Sequence, residues 1–287
     1  MGIIESILFK TGYDVAKAFI LNMVGDKKEY YSKSIKDFRT IDDRINVNYK
    51  AKEKIAKGVV NDIVKKFFDL RDNPILLDTG SVTYYIGMEL MNGSDGSIVT
   101  NNLTIALEKR KKEHPITLDI LYGEKNFDEK NFAFVGFEVA KEAEIQLKKG
   151  INNIPKSKIA VLGLRAYNHQ LGIMEGTPEL TDFQASLFEH AENLIIVAQG
   201  EKFLTPSKAP ILESDKFKRI MLKRKKEKSI WFVYHEPTCK LTKSQKDYYN
   251  QNISDFMENL PTQNIINVTK GAKKMLTKCK NNKGFDA

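Results

Sequence analysis

From residue 74 onward, short apolar runs alternate with helical segments, and this alternation constrains the fold more than any other feature of the chain. Strands are expected at Ile75–Leu77, Ser97–Thr100, Thr117–Leu121, Ile159–Leu162, Leu194–Ala198 and Ile230–Tyr234, with Ile265–Val268 as a further candidate. Helices are expected at Thr83–Met91, Leu103–Lys112, Ala133–Lys148 and Thr181–Ala191. Strands separated by helices argue for an α/β fold, a mostly parallel sheet with helices on both faces. Ligands of such sheets sit at the carboxyl ends of the strands.

Before this region, Ala51–Phe68 places Ile55, Val59, Val60, Ile63, Val64, Phe67 and Phe68 at three- and four-residue spacing, the pattern of an amphipathic helix. Ile3–Val24 has a looser helical rhythm broken at Gly12, and Gly25–Arg44 is polar and charged. The expected organisation is an N-terminal helical segment over 1–50, an α/β domain over 51–269 with a basic elaboration from about 205, and a basic tail over 270–287. Charge supports the last division: residues 201–287 hold 19 Lys/Arg against 9 Asp/Glu, whereas the first 200 residues are nearly balanced. The densest run, Lys216–Lys228, reads either as a solvated helix end and loop or as a surface for nucleic acid or another anionic partner.

No apolar run reaches the roughly 18 residues a membrane span needs. Glu5, Lys10, Asp14 and Lys17 interrupt what would be a signal-peptide core, so a cytoplasmic location and no membrane partner are expected. The two cysteines, Cys239 and Cys279, lack metal-site spacing. His235-Glu236-Pro237-Thr238-Cys239 reads as a surface loop, and no metal or cofactor is expected. The four histidines, His114, His169, His190 and His235, are placed away from the strand-end turns.

Three of those turns carry the candidate chemistry. Pro74–Leu77 leads into Asp78-Thr79-Gly80-Ser81-Val82-Thr83, where glycine permits close backbone approach and a helix N-terminus offers unpaired N–H groups to an anion. A plain strand–turn–helix with Ser81 as N-cap explains the same residues. Thr100-Asn101-Asn102 follows the next strand and reads as a ligand turn or as capping. Gln199-Gly200-Glu201-Lys202-Phe203 follows Leu194–Ala198 and sets a lysine where a phosphate could meet it.

The order of these pieces resembles the C-terminal effector-binding domain of DeoR-type sugar-metabolism repressors, within the wider ribose-5-phosphate isomerase/CoA transferase-like fold. Asp78–Thr83 is similar to the family's Asp-x-Gly-Thr-Thr turn, and Val99–Asn102 to its Val-Thr-Asn-Ser segment. Leu121-Tyr122-Gly123 stands where Leu-Gly-Gly is usual. Phe134-Val135-Gly136 resembles Phe-Val-Gly, and Ile195–Phe203 the strand ending in Ala-Asp-x-x-Lys-Phe. The match covers roughly residues 50–205, and its collinearity is more specific than any one motif.

The resemblance implies that Asp78, Gly80, Ser81, Thr83, Thr100, Asn101, Asn102, Gly123, Gln199 and Lys202 hold a phosphorylated ligand. Departures matter: Gln199 replaces the family's Asp, a family lysine on the preceding helix is replaced near Gln184, and the usual N-terminal winged helix-turn-helix is not visible. Losing a titratable carboxylate at Gln199 favours binding over chemistry. The expected function is therefore a sensor of a phosphorylated sugar, nucleotide or nucleotide-derived metabolite, acting through a partner effector protein or a homo-oligomer in a bacterial regulatory or defence system. The alternatives are an isomerase, deaminase or nucleotide-sugar hydrolase of the same fold, with Asp78, Glu175 and Glu179 as acid/base groups, and a nucleic-acid-binding regulator using the basic C-terminal region.

Overall fold

A computed structural model describes residues 40–111, 114–123, 127–151, 153–175, 178–204 and 209–269. The helices expected in Ile3–Val24 and the basic tail from 270 lie outside the described residues. In chain order the strands are β1 (Ile75–Leu77), β2 (Ser97–Thr100), β3 (Thr117–Ile120), β4 (Phe127–Asp128), β5 (Ala133–Phe134), β6 (Ile159–Gly163), β7 (Ala166–Asn168), β8 (Gly172–Glu175), β9 (Asn193–Gln199), β10 (Ala209–Pro210), β11 (Ile230–His235) and β12 (Ile265–Asn267). The helices are α1 (Ile41–Asn46), α2 (Tyr49–Lys57), α3 (Ser81–Gly93), α4 (Leu103–Lys111), α5 (Phe137–Lys148), α6 (Pro178–His190), α7 (Ser214–Glu227) and α8 (Lys243–Glu258). Beyond α2 the chain stays helical through a π-helical Gly58–Val64 and a last turn at Lys65–Phe67, so the expected Ala51–Phe68 helix is one continuous element.

Seven strands form a sheet in the order β12-β11-β9-β6-β1-β2-β3, and every neighbouring pair is parallel. All seven expected strands are in it. The chain builds outward from β1 to β3, returns past β1 to lay down β6, and continues the other way through β9, β11 and β12. Strand order therefore reverses between β1 and β6, the position where a parallel sheet opens a crevice at its carboxyl edge.

Successive strand residues face opposite sides of the sheet, and each side has its own core. Ile75, Leu77, Ile98, Val161 and Val197 pack beneath Ile55, Val59 and Ile63 of the long helix and Ile86 and Leu90 of α3. Leu76, Val99, Leu162, Ile196 and Phe232 face Val139 of α5, Phe183 and Leu187 of α6, Met221 of α7 and Phe256 of α8. Ile41 of α1 belongs to this second core, so α1 is anchored to the sheet.

Two elements differ from expectation. The single helix expected over Ala133–Lys148 begins only at Phe137, because Ala133–Phe134 pairs with β4 and Gly136, at φ 97°, forms the N-cap. The second is the antiparallel sheet β10-β8-β7, whose strands of two to four residues carry too little pattern to be read from sequence. It delivers Glu175 to the crevice. The run Lys216–Lys228 is mostly helix: Phe217, Met221 and Arg224 of α7 turn inward, and the Arg224 guanidinium donates to the Phe188 carbonyl at 2.6 and 3.1 Å.

Candidate functional site

The crevice is built around Asp78, the residue that follows β1. Its side chain is fully buried and ties the two halves of the sheet together. Oδ2 accepts from the backbone N–H of Gly163, at the end of β6, at 3.1 Å and from Gln184 Nε2 of α6 at 3.0 Å, while Oδ1 accepts from Thr79 N–H at 2.7 Å. Burial, and then the charge of Glu175, push its carboxyl up to about 8 against the pull of these bonds. Glu175, 5 % exposed at the end of β8, is thus brought beside Asp78. Glu179 is not part of the pair; it is exposed on the first turn of α6.

Gly80, not Ser81, is the N-cap of α3, and no side chain caps that helix. Its φ of 144° is a conformation that residues with a Cβ rarely adopt, and it leaves the N–H groups of the first turn without a side-chain partner. Thr83 spends its hydroxyl inside this turn, on the Gly80 carbonyl at 3.0 Å. The second turn is similarly braced. Thr100 Oγ1 donates to the Leu77 carbonyl at 2.8 Å and accepts from Asn102 N–H at 3.0 Å, and Asn102 Oδ1 accepts from Thr104 N–H at 3.0 Å as the cap of α4. Gly123 packs where an added Cβ would stand 2.7 Å from Val139. Thr83, Thr100, Asn102 and Gly123 therefore shape the walls.

Other polar groups of the same walls are buried without a partner: Thr79 Oγ1, Asn101 Oδ1, Gln184 Oε1 and Gln199 Nε2. The four residues are between 0 % and 8 % exposed. A buried polar group left unpaired costs about 1–3 kcal/mol, and four of them lie near the carboxyl edge of the sheet.

Cations complete the site. Lys202 lies on the 3₁₀ turn Gly200–Phe203 after β9, and Arg165 two residues beyond β6, the strand beside β9. Arg44 comes from α1, and its guanidinium reaches Asn131 Oδ1 and the Lys130 carbonyl. Lys52 of α2 is 2 % exposed and donates to the Arg44 carbonyl. Burial first, then Arg165 and Arg44, push Lys202 down to about 8. Burial, then Lys202 and Arg44, do the same to Lys52. Arg44 is lowered by burial and by Arg165.

Arg44, Lys52 and Arg165 were not among the residues expected from sequence. Nor was His235, which ends β11, is 9 % exposed and pairs in register with Gln199, rather than lying in a surface loop away from the strand ends. Lys202 is held in place by its neighbours: Asn252 Nδ2 donates to the Phe203 carbonyl at 2.9 Å, and Glu201 Oε1 accepts from Thr238 N–H at 2.8 Å and its hydroxyl at 2.6 Å.

Away from the crevice, the basic helix is only partly available. Lys216 pairs with Glu189 at 2.6 Å and Lys225 donates to the Glu258 carbonyl, while Lys218, Arg219, Lys223, Lys226 and Lys228 are exposed. Among the described residues, no group of three or more His, Cys, Asp or Glu could hold a metal ion, and no helix is long and apolar enough to cross a membrane.

A parallel sheet whose switch point holds a buried carboxylate, unpaired amides and converging cations defines a small-molecule-binding α/β domain. The chain belongs to the DeoR C terminal sensor domain family, whose model matches residues 47–224. That span includes all three turns from which the resemblance was read.

Among solved structures, the chain is similar to the tetrameric eIF2B-beta2-delta2 complex from C. thermophilum (12 % identity, TM-score 0.37, covering 60 % of this chain and 48 % of that one). It is also similar to ribose 5 phosphate isomerase A from Neisseria gonorrhoeae (13 %, 0.31, 58 % and 55 %). A third is a probable sor operon regulator from Shigella flexneri (8 %, 0.33, 57 % and 80 %). The chain spans about half the length of the first two. No curated protein matches the sequence.

Proposed function

We propose that this chain senses a phosphorylated sugar or a closely related phosphorylated metabolite in the crevice between β1 and β6, and passes the bound state to a partner protein or a second copy of itself. The observation that carries this reading is the convergence of Arg44, Lys52, Arg165 and Lys202 on a crevice whose other walls present unpaired buried amides. Cations take the phosphoryl group, with the N-terminus of α3 at Gly80–Thr83 beside them. Asn101 and Gln184 offer carbonyl oxygens to sugar hydroxyls, and Gln199 offers a donor. Binding repays an arrangement that is costly when empty.

Thermal unfolding against a panel of sugar phosphates, free sugars and nucleotides tests it. A ligand at a hundredfold excess over its Kd adds about 2.7 kcal/mol, which moves the midpoint by several degrees. Stabilisation by phosphorylated but not free sugars, abolished in Lys202→Met, is expected. A panel without any stabiliser, or one indifferent to Lys202→Met, refutes the proposal.

One observation favours a second reading, an enzyme of the same fold. Asp78 and Glu175 are two buried carboxylates, and Asp78 is pushed up to about 8, suited to carrying a proton near neutral pH. Conversion of the stabilising ligand, lost in Asp78→Asn with binding retained, would establish it.

A further inference from the structure

His235 closes β11 beside Gln199, the last residue of β9, and the two stand in parallel register. Each lies two residues beyond a valine of the core under the long helix, Val233 and Val197, so alternation turns both side chains to that face of the sheet. α2 packs over β9 and β11 there, with its first half above the strand ends. Lys54 Nζ donates to the Thr269 carbonyl at 3.1 Å, and Lys202 bears on the charge of the buried Lys52. Gln199 and His235 therefore sit at the crevice edge beneath α2, and Gln199 leads directly into the turn that carries Lys202.

The ring of His235 is held in one tautomer. Its Nδ1 lies 2.7 Å from the Glu236 carbonyl, which only accepts, so in the neutral ring Nδ1 carries the proton and Nε2 the lone pair. Glu236 is itself fixed: its N–H donates to Thr269 Oγ1 at 2.7 Å, and its Oε1 accepts from Asn267 Nδ2 at 3.0 Å. Among the described residues, neither His235 Nε2 nor the buried Gln199 Nε2 makes a hydrogen bond. An acceptor and a donor of similar reach thus end two neighbouring strands, about 4.8 Å apart.

A hydroxyl fits such a pair, because it gives its hydrogen to one partner and accepts from the other. Two hydrogen bonds of about 2.8 Å at a tetrahedral angle set those partners about 4.6 Å apart, close to the strand spacing. A ligand carbonyl would leave Nε2 unmet, and an ammonium would leave the amide unmet.

Resting on the reading of this crevice as the site of a phosphorylated ligand, we propose that His235 and Gln199 together read one ligand hydroxyl, with His235 Nε2 accepting its hydrogen and Gln199 Nε2 donating to its oxygen. The hydroxyl lies toward the phosphoryl end, since Lys202 follows Gln199 on the same turn. His235 is then a specificity-determining residue that favours a polyol phosphate over a ligand lacking that hydroxyl.

Calorimetric titration of the full chain with ribose 5-phosphate, glucose 6-phosphate and fructose 6-phosphate, at fixed salt and pH 7.5, tests the assignment in the native protein and in variants. His235→Asn keeps a donor where Nδ1 stood and puts nothing in the place of Nε2, whereas His235→Gln carries its carboxamide out to that place. His235→Asn should weaken the tightest probe about three- to tenfold, the worth of one neutral hydrogen bond, and His235→Gln should recover most of the loss. Gln199→Leu should also weaken it, and joined with His235→Asn should cost less than the product of the separate losses, because bonds through a shared hydroxyl strengthen each other. In the native chain, the nitrogen NMR resonance of His235 Nε2 should move when the probe binds, a readout that no failure of a variant to fold can affect. Unweakened binding to His235→Asn, or an Nε2 resonance that the bound probe leaves in place, overturns the assignment and leaves the sensor reading standing. Losses that multiply show two separate contacts and overturn the shared hydroxyl. If neither these probes nor inorganic phosphate bind the native chain, the reading of the crevice itself falls, and the assignment with it.

Discussion

Ligand binding should weaken steeply above pH 8. Lys52 and Lys202 are both pushed from 10.5 to about 8, and a phosphoryl group is held by an ammonium, not an amine. The sign follows from linkage. A lysine depressed in the folded protein contributes stability that is present above its unfolded value and lost as pH falls through the folded one. At pH 7 the unliganded protein therefore bears the cost of keeping buried ammoniums charged, about 3 kcal/mol for Lys202. An anion relieves that cost. Between pH 7 and pH 9 each lysine goes from about nine-tenths charged to about one-tenth, so affinity falls about tenfold if one of them is required and about a hundredfold if both are. The ligand does not confound the test over this range, because the second phosphate ionisation lies near 6. Asp78 acts in the same sense, gaining a negative charge around pH 8, so the titration is best run in parallel on Asp78→Asn. The assay is isothermal titration with the strongest stabiliser from the panel at pH 6, 7, 8 and 9 and constant ionic strength. An affinity unchanged or increasing from pH 7 to pH 9 in both proteins would show that neither lysine meets the anion as an ammonium, and the electrostatic account of the crevice would be wrong.

The remaining predictions concern the supports of the site. Asp78 is raised, so its contribution to stability is present below about pH 4 and lost as pH rises through 8; the urea midpoint of Asp78→Asn should fall less between pH 6 and pH 9 than that of the native protein. Gly80→Ala has room for its methyl, with Thr83 Oγ1 the nearest atom at 3.7 Å, but φ at 144° strains it; a loss of about 1–3 kcal/mol in urea unfolding and weaker ligand binding are expected, and an unchanged midpoint would deny the strain. Asn252 is fully buried and bridges the Phe203 carbonyl at 2.9 Å to His169 N–H at 3.1 Å, so Asn252→Ala should cost about 1–3 kcal/mol and loosen the turn that presents Lys202. Calorimetry should then show a raised Kd in Asn252→Ala even well below its melting temperature, whereas a purely structural role would leave Kd unmoved.

The sheet was legible because its signals are local. Ile75–Leu77 and Leu194–Ala198 are apolar runs closed by polar turns, and each strand end is readable from the residues that follow it. That is why Asp78, Asn101, Gln199 and Lys202 could be singled out before any geometry was known. The site was legible only where it lies on those ends. Arg44 and Lys52 sit on helices whose sequence signal is amphipathicity, and nothing in Lys50-Ala51-Lys52-Glu53-Lys54 distinguishes the lysine that is 2 % exposed from its solvated neighbours. What buries Lys52 is the path of α1, which turns the Arg44 carbonyl back over it. Arg165 depends on the small β7–β8 hairpin, which also sets beside Asp78 the Glu175 already named as an acid/base candidate, and His235 depends on a strand one residue longer than its apolar run. One local trace existed. The resemblance places the loss of a family lysine near Gln184 and of a family aspartate at Gln199, which implies amides in place of a cation and an anion in one crevice. The structure shows where that exchange leads, with Gln184 bonded to the central Asp78 and Gln199 left with a free donor. Such an exchange leaves the net charge of the pair unchanged, so the cations that the sequence did not flag come from elsewhere, in part from the helical corner that carries Arg44 and Lys52.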